Sequence, residues 1–208
     1  MKTLLALGLY LCWLVAAATA AEQTAPPWNF ICILVDDLGW TDLSCMGSSF
    51  YETPNIDRLA AQGLKFTQAY SACTVCSPTR AALLTGRYPA RLHVTDWIEG
   101  HVSPKAPLRV PDWTQHLALE EITIAEALRA KGWATASIGK WHLGGPEYFP
   151  GKHGFDVNVG GYQRGQPPSY FAPYRIPTLA EGPPGEFLTD RESVRNSPGG
   201  PSAKVGIR

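Results

Sequence analysis

The stretch TIAEALRAKGWATASIGKWHLG, residues 123–144, decides the fold class of this chain. Residues 123–131 have the apolar spacing of an amphipathic helix, and Gly132 is placed to end it. Residues 133–138 follow as a short strand, and residues 139–144 come directly after that strand. A helix followed by a strand and a loop is the repeating unit of a parallel α/β sheet.

The same alternation is found nearer the N-terminus. Residues 29–35 (NFICILV) form an apolar run rich in β-branched residues, which is typical of a buried parallel strand. Thr53 is placed to cap a helix that has Pro54 at its first position and ends at Gly63. Residues 64–70 alternate as a strand does. We therefore expect an α/β fold with a mostly parallel sheet sandwiched by helices.

Charged residues follow two of these predicted strands. Asp36 and Asp37 come after the first strand, and Lys140 and His142 come after the strand at residues 133–138. Ligand sites of parallel sheets gather beyond the carboxyl ends of the strands. The sequence therefore predicts that these two distant segments meet at one edge of the sheet.

Cys76 begins a second informative segment, CSPTRAALLTG, which runs to Gly86. Pro78 suits the first turn of a helix, where its missing N–H would be unpaired in any residue. The free N–H groups and the positive end of the helix dipole make such a start an anion site. Arg80 lies one turn along and can face the same anion. The segment predicts a reactive centre for a tetrahedral oxyanion such as sulfate or phosphate.

Other interpretations of Cys76 stay open at this point. A free cysteine is often a small buried apolar residue chosen for packing. Cys73 and Cys76 also form a C-x-x-C pair, which would make the protein a thiol–disulfide protein with a reversible bond between them. A non-catalytic fragment that retains the anion site is a further alternative.

The composition excludes one class of protein and indicates a compartment. The 208 residues contain 18 Lys and Arg and 18 Asp and Glu, so there is no basic excess of the kind a general nucleic-acid binder shows. Residues 1–20 have the pattern of a signal peptide: Lys2, an apolar run too short to cross a bilayer, and Ala18-Thr19-Ala20 before the cut. We expect an exported protein, periplasmic or secreted, with no membrane attachment after cleavage and a leader at residues 21–28.

Taken together, these motifs resemble the sulfatase family of the alkaline-phosphatase-like superfamily. Residues 29–191 carry the resemblance. Two signature segments match: Cys76-x-Pro78-x-Arg80-x-x-Leu83-x-Thr85-Gly86 and Gly132-Trp133-x-Thr135-x-x-x-Gly139-Lys140-x-His142-Leu143-Gly144. The second segment has Trp133 where the family often has tyrosine.

The resemblance implies covalent catalysis by a modified cysteine. In the family, the cysteine matching Cys76 is oxidised to formylglycine by a formylglycine-generating or maturase enzyme. The hydrated aldehyde attacks the sulfur of an aryl or carbohydrate sulfate ester, the alcohol leaves, and the second hydroxyl of the diol then expels sulfate. One difficult displacement is thus divided into two easier steps.

The resemblance also gives each matched residue a role. Asp36 and Asp37 would bind a divalent metal, calcium rather than magnesium, which also touches the group derived from Cys76. Arg80 would pair with that group or with a metal-bound carboxylate. Lys140 would contact a sulfate oxygen, and His142 would hydrogen-bond a diol hydroxyl and assist its deprotonation.

The resemblance further implies a second metal-ligand pair, a histidine and a lysine that this sequence does not show. Residues 192–208 are rich in Gly, Pro and Ser and are predicted to be a disordered tail outside the family pattern. We therefore expect residues 29–191 to be the N-terminal part of a catalytic domain, incomplete at its C-terminal side. Such a chain is expected to be truncated, poorly stable, and weakly active or inactive.

Two points stay open after the resemblance. A phosphodiesterase or phosphonate monoester hydrolase of the same superfamily is the alternative enzyme. Residues 146–179 are expected to line the pocket entrance, where their aromatic rings could stack on a substrate or form core. The remaining histidines are expected at the surface or the substrate rim: His93, His101, His116 and His153.

Overall fold

The structure is a computed structural model that describes residues 28–100, 105 and 107–194. The predicted signal peptide, nearly all of the predicted leader, His101 and residues 195–208 of the predicted tail lie outside the described residues. The chain divides after Val35 into two units. The first is described over residues 28–35, which are exposed and have no regular secondary structure. All other described residues belong to the second unit.

A parallel sheet carries the α/β character of the second unit. Strand β1 (Ala136–Ile138) pairs in parallel with β2 (Val157–Val159), and Ala136 lies opposite Val157. Five α-helices are described: α1 (Pro54–Gln62), α2 (Cys76–Thr85), α3 (Pro89–Leu92), α4 (Ile124–Arg129) and α5 (Leu188–Val194). Three short 3-10 helices lie at Ser44–Met46, Pro146–Tyr148 and Pro150–His153. The predicted parallel α/β class is confirmed, on a small sheet.

The helices begin and end where local signals place them. Thr123 caps α4 by accepting a hydrogen bond from the Glu126 N–H, while the Glu126 side chain accepts one from the Thr123 N–H. Gly86 ends α2 with a φ of 67°, a left-handed conformation that favours glycine. Thr53 and Gly63 flank α1 as predicted, although the Thr53 hydroxyl makes no capping hydrogen bond.

Two predicted strands are wrong, and a third is shorter than predicted. Residues 29–35 and residues 64–70 contain no strand, and the strand predicted at residues 133–138 covers only Ala136–Ile138. A strand exists through its hydrogen bonds to a neighbour, whereas an apolar or alternating run reports only the expected burial. Ile31 and Ile33 are 78% and 77% exposed, so the burial that the first run indicated is not realised here.

Two apolar clusters form the core. The first packs α2 against the segment after β1, and its buried members are Ala81, Leu92, Val94, Leu117, Trp141 and Leu143. The second holds the region after β2, and its buried members are Tyr162, Ala172, Tyr174, Ile176 and Leu188. Phe149 packs against both clusters. No helix in the described part of the chain is both long and apolar enough to cross a membrane.

Candidate active site

Helix α2 presents Cys76 at its first residue. Val75 precedes it in an extended conformation and provides no side-chain cap, so the first N–H groups of the helix are not used by a capping side chain. Ser77 and Pro78 are buried and anchor the start of the helix. The Cys76 Sγ lies 3.3 Å from the Nδ1 of His142. The structure thus brings Cys76, from the first signature segment, next to His142, from the second.

The second nitrogen of the His142 ring fixes its tautomer. Nε2 is hydrogen-bonded to the backbone carbonyl of Ile98. A carbonyl oxygen can only accept, so Nε2 carries the proton. In a neutral ring Nδ1 is then an acceptor, and it faces the Cys76 thiol. The histidine is therefore arranged to take a proton from whatever group residue 76 carries.

The surroundings favour this neutral form of His142. Burial lowers the pKa of His142 below its ordinary value. The hydrogen bond to Ile98 opposes that shift, while the positive charges of Lys140 and Arg80 add to it. His142 is 2% exposed. A buried neutral histidine near two cations suits a proton acceptor at near-neutral pH.

The backbone around His142 is held as firmly as its ring. His142 has a φ of 58° in the segment after β1. Its N–H donates to the carbonyl of Tyr162 at 3.1 Å, and its carbonyl accepts from the Ser77 hydroxyl at 2.9 Å. The same hydroxyl accepts from the Ile98 N–H at 3.1 Å. Three segments distant in sequence therefore meet at Ser77.

Asp36, Arg80 and Lys140 form a cluster of charged groups beside this pair. Arg80 donates through Nη2 to Asp36 Oδ2 at 2.6 Å and through Nη1 to the Lys140 carbonyl at 2.6 Å. The Lys140 Nζ donates to Asp36 Oδ1 at 2.9 Å. Each oxygen of the carboxylate thus has its own cation. The predicted meeting of the Asp36 segment with the segment after β1 is seen in the structure.

The cluster keeps an excess of positive charge. Burial raises the pKa of Asp36, but the hydrogen bonds and charges of Arg80 and Lys140 outweigh burial, so the pKa lies below its ordinary value. Asp36 is therefore ionised at neutral pH and neutralises only one of its two cations. The Nε of Arg80 is buried and makes no hydrogen bond within the described part of the chain. An anion is the ligand that such an arrangement favours.

Asp37 does not join the charged cluster, and no calcium site is complete among the described residues. Asp37 is exposed, with a φ of 55°, and takes no part in the hydrogen bonds that hold the cluster among the described residues. Calcium takes six to eight oxygen ligands. Over residues 28–100, 105 and 107–194, no group of three His, Cys, Asp or Glu side chains is placed to hold a metal ion. Asp36, Asp37 and Cys76 alone do not fit a calcium ion.

Sequence reasoning missed three contributors to the site: Ser77, Ile98 and Gly165. Ser77 stood at an unspecified position of its motif, and Ile98 acts through its backbone carbonyl, which leaves no signature in the sequence. Gly165 lies against the His142 ring: a Cβ built there would be 2.5 Å from Cε1 of the ring. The only signal in the sequence for this position is that the residue is a glycine.

The expectation that His153 lies at the surface or rim is wrong. His153 is fully buried, and its ring centroid lies 5.5 Å from that of Trp141, because the 3-10 helix that it ends packs against β2. His93 is exposed, as expected. Of the aromatic residues expected at the entrance, Tyr162 is core, while Tyr170 and Phe171 are 53% and 56% exposed.

The two cysteines of the C-x-x-C pair are both free thiols. Cys73 contributes its backbone carbonyl, which accepts hydrogen bonds from the hydroxyls of Ser71 and Thr79. The contact of the Cys76 thiol is with His142 rather than with Cys73. The geometry therefore favours the interpretation of Cys76 as part of an anion-handling site.

The chain is similar to known sulfatases. The chain is 43% identical to arylsulfatase A of Homo sapiens over 150 residues, which are 71% of this chain and 28% of that protein. It is 40% identical to N-acetylgalactosamine-6-sulfatase of Canis lupus familiaris over 164 residues, 76% of this chain and 29% of that protein. The crystal structure of Ps i-CgsB matches with a TM-score of 0.59 and 29% identity, covering 74% of this chain and 37% of that one.

The chain thus spans less than a third of the length of these two relatives. The family model described as Sulfatase matches residues 28–187, which include every residue of the site described above. The chain belongs to the sulfatase family.

Proposed function

We propose that this chain supplies the nucleophile and anion-binding part of an exported sulfatase that hydrolyses sulfuric esters. One observation carries the proposal: the thiol of Cys76 stands at the start of α2, 3.3 Å from the Nδ1 of a neutral His142, beside a cluster of net positive charge. A sulfate ester carries the negative charge that this cluster attracts.

Formylglycine at residue 76 would supply the nucleophile, since its hydrated aldehyde carries the attacking hydroxyl. The site fits this modification, because Cys76 is a free thiol with an acceptor nitrogen within reach. The Nδ1 of His142 would receive a proton from the group at residue 76, and the bond from Nε2 to Ile98 would keep the ring oriented. A formylglycine-generating or maturase enzyme is the partner that this proposal requires.

Arg80 and Lys140 would neutralise the sulfate group. Each already donates a hydrogen bond to Asp36, which fixes both side chains before the substrate arrives. Such preorganised donors stabilise developing charge without having to reorient during the reaction. The N–H groups at the start of α2 add to the positive potential.

Asp36 and Asp37 would contribute two carboxylates to a divalent metal, with calcium preferred over magnesium, because carboxylate oxygens are the hard ligands that calcium takes. They form only part of the ligand set, so the remaining ligands would come from outside the described residues. For the same reason we expect the chain by itself to bind the metal weakly and to be weakly active or inactive.

The names of the relatives support a substrate class, and the signal-peptide pattern supports a compartment. Aryl and carbohydrate sulfates are both proposed, because the names of the relatives point to each of them. The signal-peptide pattern of residues 1–20 supports export to the periplasm or the exterior. Residues 29–191 are proposed as the catalytic part, with residues 192–208 outside it.

Mass spectrometry of the peptide that contains Cys73 and Cys76 tests the proposal. The chain is produced together with a formylglycine-generating enzyme, and the peptide is probed with an aldehyde-specific reagent. We expect an aldehyde at residue 76 that Cys76→Ser abolishes and Cys73→Ser retains. Release of sulfate from an aryl sulfate is measured beside release of phosphate from the matching aryl phosphate. An unmodified thiol at residue 76, or a preference for the phosphate, would contradict the proposal.

A further inference from the structure

The backbone of Gly165 lies against one edge of the His142 ring. The ring is bonded at Nε2 to Ile98 and faces Cys76 at Nδ1. Gly165 lies against the edge that joins these two nitrogens. A Cβ built on Gly165 would be 2.5 Å from Cε1, 2.8 Å from Nδ1 and 3.0 Å from Nε2. Real Cβ atoms do not approach other heavy atoms this closely, so any side chain here would displace the ring.

Space, rather than backbone conformation, accounts for glycine at this position. The φ of Gly165 lies outside the left-handed range, so an alanine could adopt the same backbone. The ring cannot easily give way, because His142 is 2% exposed and is held through its N–H by Tyr162 and through its carbonyl by Ser77. Moving the ring would break the bond at Nε2 or the contact at Nδ1.

We infer that Gly165 is a positioning residue for His142: its missing side chain lets the backbone close on the imidazole and hold Nδ1 toward residue 76. The catalytic meaning of this contact rests on the proposed function. The contact itself does not, and it can be tested without turnover.

Gly165→Ala in the full chain is the test, and Gly151→Ala is its matched control. Gly151 also lies outside the left-handed range, but a Cβ there meets nothing within 4 Å. Nitrogen-15 shifts of the histidine side chains are recorded at one fixed pH. We expect the original chain and the control to show His142 with its proton on Nε2. Gly165→Ala should show that signal moved, or replaced by a mixture of tautomers. Superimposable spectra would overturn the inference.

A double-mutant cycle with His142→Ala decides the case if Gly165→Ala folds poorly. We expect Gly165→Ala to lower the denaturant midpoint when His142 is present and to have little effect once the ring has been removed. Equal shifts in both backgrounds would overturn the inference. An aldehyde at residue 76 is measured in the same samples. If the aldehyde is absent while Gly165→Ala and His142→Ala show the expected coupling, the proposed function is contradicted and the positioning role of Gly165 is not.

Discussion

Asp36 is the residue on which the two cations of the site converge, and each of its oxygens accepts one hydrogen bond from them. The carboxylate is partly shielded from water, so these bonds are screened less than those of an exposed pair. Removing its charge would leave Arg80 and Lys140 facing each other without compensation. The consequence can be measured in the metal-free chain.

We expect Asp36→Asn to lower the free energy of unfolding by about 1–3 kcal/mol at pH 7, since it weakens two charge-assisted hydrogen bonds. The pKa of Asp36 lies below its ordinary value, so the ionised carboxylate stabilises the fold above about pH 4. That contribution is lost as the pH falls through the pKa of the folded state. Urea titrations at several pH values measure both effects. Asp37→Asn is the matched control, and a loss as large as that of Asp36→Asn would contradict the prediction.

His153 is a buried titratable residue whose ring nitrogens make no hydrogen bond within the described part of the chain. Burial lowers its pKa, and the charge of Glu126 opposes that shift only in part. The unfolded chain therefore binds a proton more readily than the folded one once the pH falls below about 6.5. Acidification should destabilise the protein through this residue.

We expect His153→Leu to retain or increase stability at pH 7, because it removes two unpaired polar atoms from the core. It should also reduce the loss of stability between pH 7 and pH 5. His93→Asn, which replaces an exposed histidine, is the matched control. Thermal unfolding at each pH provides the measurement. If the melting temperature falls with pH to the same extent in His153→Leu and in the original chain, the prediction is contradicted.

At the scale of elements, α4 shows how a local signal fixes structure. Thr123 accepts from the Glu126 N–H, and its hydroxyl also donates to the His153 carbonyl at 2.7 Å. The cap therefore joins the start of α4 to the segment that carries His153. The Thr123 hydroxyl thus caps a helix and also makes a tertiary hydrogen bond.

Thr123→Ala should lower the free energy of unfolding by about 1–2 kcal/mol, the usual range for a lost cap. Thr123→Ser retains the hydroxyl and should recover most of that loss. Chemical denaturation of the two variants gives the comparison. Equal destabilisation by both would show that the methyl group of Thr123, rather than its hydroxyl, carries the effect.

The elements that could be predicted from the sequence are those whose cause is local. The capping pair of Thr123 and Glu126 lies within a few residues, and so does the glycine that ends α2 at residue 86. Strands depend on a partner elsewhere in the chain, so the strands predicted at 29–35 and 64–70 are wrong. Most of the site could be predicted because its side chains carry motifs. Ile98 and Gly165 could not, since they act through a carbonyl and through the lack of a side chain.

At the scale of the whole molecule, many of the large apolar side chains among the described residues are exposed to solvent. Phe50, Leu64, Phe66 and Tyr70 are each at least 75% exposed, although they are large apolar or aromatic side chains. The formal net charge is zero at pH 7 and the sequence pI is about 6.9. Exposed apolar surface without net charge promotes association.

We expect light scattering of the purified chain to be greatest near pH 7 and to fall as the pH moves away from it. Leu64→Lys should reduce scattering at pH 7 without lowering the denaturant midpoint, because Leu64 is 87% exposed. Leu117→Lys places the same charge at a fully buried position and should unfold the chain. Unchanged scattering for Leu64→Lys would show that association uses another surface.

Phe149 gives the molecule a property that neither core cluster has alone. It packs against the cluster that includes Trp141 and Leu143 and also against the cluster that includes Tyr162. Neither cluster can loosen without uncovering the same ring, so the two should melt as one cooperative unit. His142 lies between Trp141 and Leu143 and donates its N–H to Tyr162. The geometry around Cys76 should therefore persist up to the global transition and vanish with it, with no intermediate state in which the scaffold survives and the site is lost.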